Sequence, residues 1–335
     1  MYKIIPHPNN LKFVEFYNKN NFHVILSNYG ASIYQIGTVD KKGVLETVTL
    51  SPLMVNYYYN PKYYGLTIAR VAGRIKDAKF TINGVDYHQT ANEKDNLLHS
   101  GENTLAYKLF DFDVVNSDEC TKVIYTKKVA DMEDGFPGNL ELRVEYTMYK
   151  NEDTLDVRYL AMSDKDTLLN ITNHSYFNLS GNLKSTIEKQ ILTMNKESIL
   201  NMDDELIASS ISKVSKEYDF REGMAISTYF DVLKDTLIRG YDHIFTGKDP
   251  LSLSLYDKES GRFLEITSNY KDVVIYTNNI EGNTAFGTSL YDKPYLGIAI
   301  EPQRYTKILT KNGLVQKSNE LYDYHITYKF SLKEE

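Results

Sequence analysis

The chain has no tryptophan and a single cysteine, Cys120, in 335 residues. One thiol allows no internal disulfide, so the fold must rest on its core, and a reducing cytoplasm is the expected compartment. The start, Met1-Tyr2-Lys3-Ile4-Ile5-Pro6, has neither the basic end nor the long apolar segment of a signal peptide. No apolar run approaches the roughly 20 residues needed to span a bilayer, which argues against a membrane protein. Positive charge is in deficit, with a formal net charge of -7, and this disfavours non-specific nucleic-acid binding. There is no Gly-rich phosphate loop, no His-Glu-x-x-His and no Cys-x-x-Cys. Nucleotide hydrolysis, zinc-protease chemistry and thiol redox therefore lack their sequence signs.

What is abundant is tyrosine, at 28 residues, a strand former that also stacks on sugar faces. The dominant period is two, which places alternate side chains on opposite faces of a sheet. Leu142, Val144, Tyr146 and Met148 alternate with polar residues, and after a turn at 150–153 the pattern resumes at Leu155, Val157 and Tyr159. A second hairpin joins Leu251, Leu253 and Leu255 to Phe263-Leu264-Glu265-Ile266. Asn83-Gly84 between extended flanks is the strongest two-residue turn signal, and Tyr324, Ile326, Tyr328, Phe330 and Leu332 share one face of a closing strand. Short helices are expected at 203–210 and at 53–59. No linker or repeat interrupts the pattern, so the expected fold is all-β: one large antiparallel two-layer β-sandwich, a single domain over residues 1–335.

Four polar spots stand out against this background. Thr172-Asn173-His174-Ser175-Tyr176-Phe177-Asn178-Leu179 sets one histidine among amides, hydroxyls and aromatics, a setting for a polar small molecule. Leu98-His99-Ser100 and Gly240-Tyr241-Asp242-His243 add further candidates. In Ile298-Ala299-Ile300-Glu301-Pro302-Gln303 a carboxylate interrupts what otherwise reads as a buried strand, where an ionised group is costly unless paired or functional. Two imidazoles and two carboxylates are thus candidates for one acid/base site. A metal is disfavoured because no close pair such as His-x-Asp links them. His7, His23, His88 and His325 sit in no comparable cluster, and His243 reads as structural.

With Asn28-Tyr29-Gly30-Ala31, Val71-Ala72-Gly73-Arg74-Ile75, Asn96-Leu97-Leu98-His99-Ser100-Gly101 and Ile275-Tyr276-Thr277-Asn278 added in order, the chain resembles the aldose 1-epimerases, or galactose mutarotases, over nearly its whole length. The resemblance implies a sugar cleft across one sheet of the sandwich. It also implies interconversion of the alpha and beta anomers of a free aldohexose of glucose or galactose type, with no cofactor and no metal. By resemblance Glu301 is the base and His174 the acid that protonates the ring oxygen. His99 and Arg74 are hydrogen-bond donors to the ring region, and Asp242 accepts from sugar hydroxyls. This pairing leads one to expect a bell-shaped rate against pH, with the acidic limb from Glu301 and the basic limb from His174. A monomer or homodimer is expected.

The chain departs from the family pattern at three places. Gly73 stands where Asn is common, Ser100 where Gly is common, and Pro302 follows the glutamate in place of Thr; Pro302 is expected to tilt Glu301. Two rival functions follow. A hexose-6-phosphate 1-epimerase would need cations at the far end of the cleft, for which Arg304 and Lys307 are the candidates. A noncatalytic sugar-binding module on the same fold would not need both His174 and Glu301.

Overall fold

Alternation along the strands sorts the chain into faces, and the faces stack. The computed structural model describes residues 1–53, 57–279, 293–305 and 313–333. A nine-stranded antiparallel sheet contains the neighbours Leu140–Tyr149, Thr154–Ser163, Tyr322–Leu332, Arg262–Ser268 and Leu251–Tyr256. Its inner face carries Val144, Tyr146, Leu155, Val157, Tyr159, Ile326 and Tyr328, each at most 0 % exposed. Against it lie a five-stranded meander through residues 2–47 and a six-stranded sheet, whose Val14, Phe16, Ile275, Ile298 and Ile300 belong to the same core cluster. Both expected hairpins form in register, and at Leu332 the closing strand runs out of the core, leaving that side chain 46 % exposed.

Asn83 (φ 51°) and Gly84 (φ 80°) both adopt positive φ between the paired strands Lys79–Ile82 and Val85–His88. This is the turn whose twist matches a hairpin. The helix expected at 203–210 is instead a turn leading into the strand Ala208–Lys213. The Asp203 carboxylate accepts from the N–H groups of Glu205 and Ile207, and the Ile207 donor is one that a helix over 203–210 would have given to the Asp203 carbonyl. The other expected helix includes residues 54–56, outside the described residues. Among the described residues the only α-helix is Phe230–Leu233, and no helix is long and apolar enough to cross a membrane.

The six-stranded sheet positions the polar residues. Its order runs through Tyr176–Phe177, Ile298–Gln303, Asp272–Tyr276 and Asp242–Thr246. Ile298 and Ile300 enter the core, so period two turns Ala299, Glu301 and Gln303 to the opposite face. All six residues of that strand are buried. Pro302 does not disturb the ladder: Gln303, Pro302 and Glu301 pair in unbroken register with Asp272, Val273 and Val274. The Arg304 N–H goes to Asn170 Oδ1 on the other flank. Pro302, two residues earlier, faces the same way, where the neighbouring strand, paired only with Ile298 and Ala299, has ended.

Candidate active site

The outer face of the six-stranded sheet floors a cavity of about 380 Å³. Arg74, His99, His174, Asp242 and Glu301 all line it. Asp242 and Glu301 arrive on strands that flank Asp272–Tyr276 on either side, and Tyr276 and Val274 of that middle strand lie between them.

His174 sits in the short connection between the strands Thr172–Asn173 and Tyr176–Phe177. Its backbone is fixed on both sides, N–H to Leu66 O at 2.9 Å and C=O from Gly65 N–H at 2.9 Å. Nδ1 is buried without a hydrogen-bond partner, and Nε2 lies 3.3 Å from Glu301 Oε1. The other carboxylate oxygen, Oε2, accepts from Gln303 Nε2 at 3.1 Å.

His99 is clasped to Gly73 twice. Its N–H donates to Gly73 O at 3.1 Å, and its Nδ1 accepts the Gly73 N–H at 3.2 Å. A backbone N–H can only donate, so in the neutral ring the proton is on Nε2 and His99 presents a donor. Tyr63 packs edge-on against the His99 ring at 4.9 Å, and the His99 and His174 rings meet at 5.3 Å and 85°. Arg74 follows directly, on a two-residue strand paired with Leu97–Leu98. Glu93 takes its Nε and Nη2 at 2.5 and 2.9 Å, and Asp242 Oδ2 lies 3.8 Å from Nη2.

The departures from the family pattern have local explanations. Gly73 has φ 84°, and a Cβ there would meet the Tyr305 ring at 2.3 Å. Tyr305 fills the volume a side chain at 73 would take, and its hydroxyl accepts the Arg74 N–H at 3.2 Å. Ser100 adopts φ 66°, and its hydroxyl accepts Val71 N–H and donates to Val71 O, holding a conformation that otherwise favours glycine.

Burial penalises charge at both members of the central pair. The Glu301 carboxyl is pushed up to about 8 by burial and then by the Asp242 carboxylate, with Arg74 and Gln303 opposing. The His174 imidazole is pushed down to about 4, by burial above all. Between these limits the pair holds one proton, and without a ligand it rests on Glu301. This is opposite to the limb order expected from the residue types, because burial costs both the carboxylate and the imidazolium their solvation. His99 is held well below the ordinary imidazole value by burial, by His174 and by Arg74. Asp242 is raised by burial and Glu93, against Arg74. Burial works against the Arg74 charge, but Glu93 and Asp242 outweigh it and raise its pKa.

His99, His174 and Glu301 offer ligand atoms within 4.8 Å of one another, a convergence the sequence spacing does not foretell. A two-histidine, one-carboxylate set is a metal-binding pattern. The His99 tautomer tells against it here, because Nδ1 is already the acceptor for Gly73 and a protonated Nε2 has no lone pair for an ion.

Sequence reading assigns no role to Glu93, Asn170, Gln303 or Tyr305. Gln303 has a signal, since it lies two residues from Glu301 and must share its face. Glu93 has none, being a loop residue whose partner is set by tertiary placement. Arg304, a candidate for a phosphate, is turned elsewhere: its guanidinium lies over Tyr322 and Tyr324 at 5.4 and 5.7 Å and donates to Gln316. Lys307 lies outside the described residues.

The sequence model for the family described as aldose 1-epimerase matches residues 12–329. Rat galactose mutarotase is 28% identical over 325 residues, covering 93% of this chain and 92% of that protein. An aldose 1-epimerase of Haemophilus influenzae is 30% identical over 295 residues, covering 85% and 84%. The solved structure of a galactose 1-epimerase from Lactobacillus acidophilus has the same fold, with a TM-score of 0.84 at 24% identity, covering 100% of this chain and 99% of that one.

Proposed function

The chain belongs to the aldose 1-epimerase family of isomerases, and we propose from that premise that it is a mutarotase acting on a free aldohexose, with Glu301 and His174 as its catalytic pair. The observation that carries this reading is the His174–Glu301 contact at 3.3 Å inside a cavity lined by further donors and acceptors.

Ring opening needs a base at the anomeric hydroxyl and an acid at the ring oxygen. One proton shared by the pair meets both needs. A bound sugar that donates its anomeric O–H to Glu301 favours the carboxylate, and a ring oxygen that accepts from His174 favours the imidazolium. Binding thus moves the resting proton from Glu301 to His174. In the opening step Glu301 takes the hydroxyl proton, the carbonyl forms at the anomeric carbon, the bond to the ring oxygen breaks and that oxygen takes the His174 proton. After rotation about the first carbon–carbon bond, closure on the other face returns both protons. His99 Nε2–H and Arg74 stabilise negative charge as it develops on oxygen, and Asp242 accepts from a sugar hydroxyl.

An unphosphorylated substrate is favoured by the charge around the cavity. Asp242, Glu93 and Glu301 face it, Arg74 is engaged with two of these carboxylates, Lys62 also lines it but donates to Asn278 Oδ1 at 2.8 Å, and Arg304 points away. The test compares the optical-rotation decay of alpha-glucose and alpha-galactose with anomer exchange of glucose 6-phosphate followed by NMR. Acceleration confined to the phosphorylated sugar would overturn the free-sugar reading. Acceleration with none would favour a sugar-binding module.

A further inference from the structure

Asn170 does not line the cavity but is hydrogen-bonded to Gln303, the amide that Glu301 meets there. It is 0 % exposed, on the short connection after the strand Thr167–Leu168, and forms a parallel bridge with Val71. Its backbone is tied into the Arg70–Ala72 segment on both sides, N–H to Arg70 O at 3.0 Å and C=O from Ala72 N–H at 2.7 Å. The side-chain amide can be oriented in only one way. Oδ1 accepts the Arg304 N–H at 2.9 Å, and Nδ2 donates to Ala72 O at 3.0 Å. Both anchors are backbone groups that cannot exchange donor for acceptor.

The second hydrogen of Nδ2 goes to Gln303 Oε1 at 2.9 Å. With its oxygen occupied in this way, Gln303 must turn its NH₂ toward Glu301, where Nε2 meets Oε2 at 3.1 Å. A flipped Gln303 would put two oxygens together at Glu301 and two NH₂ groups together at Asn170. The orientation therefore passes from two backbone groups, through two buried amides, to one carboxylate oxygen, and it leaves Oε1 to face His174.

We propose that Asn170 is a positioning residue for the base: it fixes the Gln303 amide as a donor to Glu301, which favours the carboxylate form and leaves Oε1 for the sugar. The proposal rests on Glu301 acting as the base, so its test needs a readout that does not depend on turnover.

Asn170→Asp keeps the acceptor for Arg304 N–H but removes the donor to Gln303, which then turns its NH₂ toward residue 170 and its oxygen toward Glu301. Asn170→Ser removes the donor with a smaller perturbation, and Gln303→Leu removes the last link directly. In each, the basic limb of kcat/KM is expected to move up by about one pH unit, the size of one lost hydrogen bond to an ionised carboxylate. The ¹³C shift of the Glu301 carboxyl should titrate higher by the same amount. Asn170→Ser combined with Gln303→Leu should move neither readout further than Gln303→Leu alone, because both act through one bond. An unchanged carboxyl titration in the soluble Asn170 variants, or additive shifts in the double variant, would overturn the proposal. If wild type does not accelerate mutarotation, the catalytic reading fails, and the carboxyl titration still decides the role of Asn170.

Discussion

Nε2 of His174 lies 3.3 Å from Oε1 of Glu301, and the two side chains are 6 % and 3 % exposed. A contact this close and this dry makes the pair a single proton-holding unit rather than two independent groups.

The first consequence is a bell-shaped kcat/KM with limbs near pH 4 and pH 8. The acidic limb marks a second proton entering the pair, and the basic limb marks the loss of its last proton. NMR of the ligand-free protein should find the His174 ring neutral at pH 6. An imidazolium at that pH, or a rate flat between pH 4 and 9, would contradict the assignment.

A stability effect follows from the same burial. The unfolded Glu301 carboxyl ionises near its ordinary value of 4.5, whereas the folded one does so at about 8. A raised folded value means stability that is full below 4.5 and is lost as pH rises through 8. His174 has the opposite sign, its contribution being lost as pH falls from 6.5 through about 4. Between pH 6.5 and 8 the Glu301 effect outlasts that of His174, at about 1.4 kcal/mol per pH unit near pH 6.5 and about half that at pH 8. Denaturant melts over that window should show wild type losing stability relative to Glu301→Gln. Parallel curves would place the carboxyl in a more solvated setting.

Glu93 holds two of the Arg74 nitrogens. Glu93→Gln leaves the guanidinium a weaker partner and a looser position, and KM is expected to rise by about tenfold with a smaller fall in kcat, measured by polarimetry against sugar concentration. An unchanged KM would mean that Asp242 alone orients Arg74.

Gly73→Ala brings a Cβ to within 2.3 Å of the Tyr305 ring at a φ of 84°. The expected cost is about 2 kcal/mol of stability, from the backbone strain and the displaced ring together. Pairing it with Tyr305→Ala should recover the steric part but not the backbone part. If Gly73→Ala costs as much in the Tyr305→Ala background as it does in wild type, the ring is not what excludes a side chain at 73.

The sheets were legible in the sequence because period two is a local property: Val144, Tyr146, Val157 and Tyr159 are buried as their spacing implies. Glu301 stood out for the same reason, as a carboxylate inside an apolar strand. The turn at 203–207 was misread because acidic residues suit both a helix start and an Asx turn, and Asp203 takes the second. Glu93, Asn170 and Tyr305 gave no sign, since their partners are 19, 133 and 231 residues away and are chosen by tertiary packing. The protonation order of the central pair was hidden likewise, because it depends on burial and the neighbouring charges, not on residue type.

The most direct test follows the optical rotation of freshly dissolved alpha-galactose and alpha-glucose in a weakly catalysing buffer, with wild type, Glu301→Gln and no protein. Wild type should speed the decay, and Glu301→Gln should lose about 10² to 10⁴ of that acceleration, the usual share of one acid/base group, while sugar binding by calorimetry stays within about threefold. Full activity in Glu301→Gln would contradict the assignment of the base, and no acceleration by wild type with either sugar would contradict the mutarotase itself.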